Sequence, residues 1–61
     1  MTDRELEILR LVKRGLTNEE VGATLGLAAA TVAWHLTNVL AKLDVPSRTA
    51  AVAVAMERGL L

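Results

Sequence analysis

The pattern Thr-x-x-Glu occurs twice near the start of this chain, at Thr2–Glu5 and at Thr17–Glu20. In each, the threonine oxygen and the glutamate carboxylate can reciprocally accept from backbone N–H groups that a helix leaves open at its beginning. Two helix starts this close together, with Gly15 between them to end the first, leave little freedom for anything but short, connected helices. The first is predicted over 3–14, with Leu6, Ile8, Leu9, Leu11 and Val12 on one side and Asp3, Glu7, Arg10 and Arg14 opposite. The second, over 18–25, stops at Gly26.

From 29 to 43 the apolar residues Val32, Leu36, Val39, Leu40 and Leu43 recur at helical spacing and fall within roughly a 100° arc at 3.6 residues per turn. Asp44, Val45 and Pro46 end this third helix, and Ser47 can cap a fourth over 48–58, ahead of Gly59. No stretch alternates with the period of a strand. The expectation is an all-α, four-helix domain occupying 1–61. The few residues around Gly26 and Leu27 set the second and third helices at a steep angle, as in a helix-turn-helix.

A chain of 61 residues buries a modest fraction of its surface and is marginal unless something staples it or pairs with it. It has no cysteine, so disulfides and cysteine metal sites are excluded. The stretch without charge from Val21 to Ala41 carries His35, Asn38, threonines and glycines, which does not suit a lipid-facing span. No signal peptide is visible, and the expected location is cytoplasmic. Seven Lys and Arg balance seven Asp and Glu for a formal net charge of zero, whereas a self-sufficient DNA binder is usually basic.

A set of residues spread over nearly the whole chain resembles the LuxR/GerE-type helix-turn-helix domain. It comprises Thr2-x-Arg4-Glu5 with Glu7, Ile8 and Leu9; Gly15-Leu16-Thr17-Asn18-x-Glu20-Val21; Leu25-x-Leu27; Thr31-Val32 with His35; Asn38-Val39; Lys42-Leu43 with Val45; Arg48-Thr49 with Ala51; and Gly59-Leu60. The resemblance implies a sequence-specific DNA-binding domain of a bacterial transcriptional regulator, with the third helix in the major groove and the fourth helping to form a dimer. Three positions depart from that family's pattern. Ala33 and Thr37 stand where it usually has basic residues, and Ala28 stands where a serine commonly caps the third helix. Two absent base contacts at about 1–3 kcal/mol each would cost several powers of ten in affinity or discrimination, and the absent cap roughly 1 kcal/mol of helix stability.

Thr31, His35, Asn38 and Lys42 form one polar stripe beside the apolar arc. Such a stripe can follow a phosphate backbone, or it can be the solvated edge of an ordinary amphipathic helix. His35, the single histidine, has no second imidazole for a metal site and no nucleophile beside it; a hydrogen bond within the fold is favoured slightly over a phosphate contact. Trp34 is placed almost opposite the apolar arc and is expected to be exposed. There it can touch a thymine methyl or sugar edge, helped by Ala30, Ala33 and Thr37, or serve as an anchor for a protein partner. The alternative is that it folds back over the first two helices. Asn18, at the start of the second helix, is a candidate phosphate contact, as are Lys13, Arg14 and Arg48.

The candidate DNA-contacting set is therefore Asn18, Thr31, Val32, Ala33, Trp34, Thr37, Asn38, Lys42 and Arg48. The fourth helix, Ala50-Ala51-Val52-Ala53-Val54-Ala55-Met56, is apolar all round until Glu57, which points to two-fold pairing through Ala50, Ala51, Val54, Ala55 and Arg58. Exposed alanines that mean nothing are the simpler alternative. No catalytic constellation, metal, cofactor, membrane or small-molecule substrate is implied. The expected partners are double-stranded DNA, bound weakly by the isolated domain, and a second copy of the chain. The competing reading is a helix-turn-helix scaffold used for protein association, with Trp34 and the alanine face as its contact.

Overall fold

Both capping boxes form in the computed structural model, which describes residues 1–61. The Thr2 and Thr17 side chains each accept from a backbone N–H three residues on, at 3.2 Å, while Glu5 and Glu20 each accept from the threonine N–H at 2.9 Å. They open α1 (Asp3–Lys13) and α2 (Asn18–Leu25); α3 (Ala29–Leu43) and α4 (Arg48–Glu57) follow. α1 and α4 each end one residue before the expected boundary, because Arg14 and Arg58 serve as caps whose N–H groups close the last turn. Ser47 caps α4 by accepting from the Ala50 N–H at 3.1 Å.

α3 starts differently. Ala28 has the extended backbone of a cap, φ −68° and ψ 148°, but no side-chain oxygen to offer, so the first turn is short of about 1 kcal/mol. At the other end Asp44 takes the left-handed conformation, φ 55°, which the short polar side chain of aspartate tolerates better than most.

The core lies where α1, α3 and α4 meet, with α2 laid against α3. It is built from Ile8, Leu9 and Val12 of α1, Val21 of α2, Val32, Leu36, Val39 and Leu43 of α3, and Ala51 and Ala55 of α4. The α3 contribution is the arc predicted from helical spacing, less Leu40, which is half-buried. Two expectations are corrected here. Val32 is fully buried and holds α3 in place from behind, so it cannot touch a nucleotide. Ala51 and Ala55 are also fully buried: spaced one turn apart, their methyl groups let α4 approach the core closely, and neither is left for a second chain. No helix is long and apolar enough to cross a membrane.

Candidate nucleic-acid interface

The angle between α2 and α3 is 106°, and a glycine makes it possible. The Leu27 N–H donates to the Gly22 carbonyl at 2.8 Å, drawing the turn onto α2 so tightly that a β-carbon on Gly22 would lie 2.3 Å from the Leu27 carbonyl oxygen. Gly26 supplies the left-handed residue in between, φ 73°. Gly26 stands out along the chain as a helix stop, whereas Gly22 does not, although a lone glycine inside a helical pattern can signal a packing requirement.

With its arc of valines and leucines buried, α3 turns Ala30, Thr31, Ala33, Trp34, Thr37 and Ala41 outward, all exposed, with Asn38 half-buried at their edge. Trp34 is 62% exposed, as its position on the helix requires, and it does not fold back over α1 and α2. The half-buried His35 ring packs edge-on against Trp34, centroids 5.1 Å apart at 70°. That edge-on contact, rather than a hydrogen bond into the fold, is where the structure puts the imidazole. The Thr37 hydroxyl donates to the Ala33 carbonyl one turn back at 3.0 Å, so its hydrogen is spent and only its lone pairs face outward.

Lys42 is the one fixed positive charge on α3, and it is already engaged. Its Nζ lies 2.8 and 2.9 Å from the two carboxylate oxygens of Glu5. Glu5 is only 4% exposed, and the same carboxylate completes the α1 capping box. The Lys42 ammonium, then the Thr2 backbone N–H, hold the Glu5 carboxyl down from the usual 4.5 to about 2. The two residues are 37 apart in sequence, and no local spacing signals their meeting; capping was the only role visible for Glu5.

This pair makes stability depend on acid in a defined direction. Because the folded pKa is depressed, the contribution is fully present above about 4.5 and is lost as pH falls toward 2. Allowing for the water around the half-exposed Lys42, the expected loss is on the order of 1–2 kcal/mol. Urea midpoints compared at pH 6 and pH 2.5 measure it, with Lys42→Met isolating Glu5 from the other carboxylates. An acid-dependent loss of the same size in Lys42→Met would show that the pair is not its source.

On the other flank of α3, Arg48 donates from Nη1 to the Asn18 Oδ1 at 3.1 Å and from Nη2 to the Leu16 carbonyl at 3.3 Å. Two residues singled out separately are thus one unit, joining the start of α2 to the start of α4. They line an open groove with Lys13, Thr17, Ala30 and Ala33, which Glu19 also borders. Apart from the buried Val32, the candidate residues are brought together as an outward face of α3, neutral along its centre, with the Asn18–Arg48 unit and Lys13 on one side and the Glu5–Lys42 pair on the other.

The model of the bacterial regulatory proteins, luxR family, matches residues 1–55. The chain is 48% identical over 61 residues to the transcriptional regulatory protein LiaR of Bacillus subtilis (strain 168), and 39% identical over 61 residues to the response regulator protein VraR of Staphylococcus aureus. In both, the match takes in all of this chain and 29% of the relative. The crystal structure of response regulator ChrA, from a heme-sensing two-component system, matches 98% of this chain with a TM-score of 0.95 and 40% identity, over 30% of its own length. The chain thus spans under a third of the length of these relatives.

Proposed function

The chain belongs to the luxR family of bacterial regulatory proteins and carries the helix-turn-helix DNA-binding domain of its transcription factors, which is not an enzyme; on that footing we propose that α3 enters the major groove of a duplex, in a regulator working in the cytoplasm. The observation that carries this reading is the outward face of α3, exposed along its length while its other face is buried. Asn18, Thr31 and Arg48 contact phosphates beside it, and Lys42 adds one through the ammonium hydrogen that Glu5 leaves free.

Two chains pair through α4. With Ala51 and Ala55 in the core, the pairing face is Ala50, Val54 and Arg58, of which the first two are half-buried and the third exposed in the single chain. Two-fold pairing presents two copies of α3 to a palindromic site.

Binding by the isolated domain is weak. Its net charge is zero, the Lys42 charge is cancelled by Glu5 and so releases no counterion, and Lys13, Arg14 and Arg48 are the remaining cations offered to phosphates. A plot of log affinity against log salt for random duplex, measured by fluorescence anisotropy, is expected to have a slope of about −3 per protomer. A slope twice as steep would mean that the charged surface lies elsewhere. An absence of binding even at low salt would favour the competing reading, in which the exposed Trp34 anchors a protein partner.

A further inference from the structure

We infer that α3 reads thymine methyl groups and adenine edges and has no paired donor with which to read guanine, so that its half-site is rich in A·T pairs. This rests on the groove reading above and assigns that site its substrate class. Guanine presents two acceptors, O6 and N7, to the major groove, and the side chains that satisfy both are arginine and lysine. The outward face of α3 has neither. The ammonium of Lys42 is drawn aside to both oxygens of Glu5, and the Thr37 hydroxyl has given its hydrogen to the Ala33 carbonyl. Trp34 carries a single N–H, too few for paired acceptors. Guanine set against this face would be stripped of water at O6 and N7 and given little in return.

The same face matches an A·T pair group by group. Ala30, Ala33 and the indole of Trp34 are apolar surfaces of the kind that accept a thymine 5-methyl. Thr37 offers lone pairs to the adenine N6 amino group. Asn38 carries one carbonyl and one amide NH₂, which suit adenine N6 and N7 together and match the two acceptors of guanine only by half. Ala33 and Thr37 are one helical turn apart, as are Ala30 and Trp34, so the apolar and accepting groups address neighbouring base steps.

Selection of bound duplexes from a random pool at low salt, followed by replacement of each selected thymine with deoxyuridine, tests this. The expected result is A·T-rich half-sites in which removal of a methyl beneath α3 lowers affinity about fourfold. That sensitivity should fall in Trp34→Ala, whose side chain is exposed and not needed for folding. Half-sites rich in G·C, or A·T-rich half-sites indifferent to deoxyuridine, would overturn the inference and leave the groove reading intact. Failure to retain any duplex at low salt would overturn both.

Discussion

Gly22→Ala is expected to destabilise the fold by about 1–3 kcal/mol, and Gly22→Val by more. Alanine inside a helix normally gains about 1 kcal/mol over glycine, so a loss here would reverse the usual sign. The reason is the 2.3 Å between a β-carbon at this position and the Leu27 carbonyl oxygen, with the Leu27 and Ala28 carbonyl carbons at 3.3 and 3.5 Å behind it. These are backbone atoms of the turn itself. They retreat only if the Leu27 to Gly22 hydrogen bond lengthens and α3 swings away from α2. A chain of this length has roughly 3–9 kcal/mol of total stability to draw on, so Gly22→Val is expected to leave a large unfolded fraction. Urea unfolding followed by far-ultraviolet circular dichroism reads the loss directly. Gly22→Ala as stable as the parent would show that the 106° turn relaxes without cost and is not what fixes the position of α3.

The largest effect on binding is expected from Ala33→Lys combined with Thr37→Lys, which should raise duplex affinity by at least tenfold and by as much as about a thousandfold. Both positions are exposed on the outward face, so neither substitution disturbs the core. Replacing Thr37 also removes a hydroxyl bonded back to its own helix and substitutes a better helix former. Two amines there would supply the donors that guanine requires, and selected half-sites should move toward G·C. Charge alone is controlled by Asp3→Asn with Glu7→Gln, which adds the same two positive units to an exposed part of α1. A gain under tenfold, about 1.4 kcal/mol, or one matched by the α1 control, would take α3 out of the groove.

Most of the architecture was legible along the chain because helix starts and stops are local events. Thr2 with Glu5, Thr17 with Glu20, Ser47 and Gly26 each act within one turn of themselves, and the structure shows all of them doing so. The buried arc of α3 and the exposure of Trp34 follow from 3.6 residues per turn alone. α4 was less legible. A helix of alanine and valine has no polar face to orient it, so spacing gave no way to tell that Ala51 and Ala55 face the core while Ala53 and Met56 face out.

The amino-acid sequence by itself therefore determined four helices, their order, the inward side of α3 and the absence of basic residues from its outward side. Only the tertiary structure decided which side of α4 is buried, how closely the turn presses on Gly22, and that the single lysine of α3 is claimed by Glu5 from α1. The division has a physical cause. Helix boundaries are set by hydrogen bonds spanning three or four residues, whereas the neighbours of a side chain across a core or an ion pair depend on where distant helices come to rest.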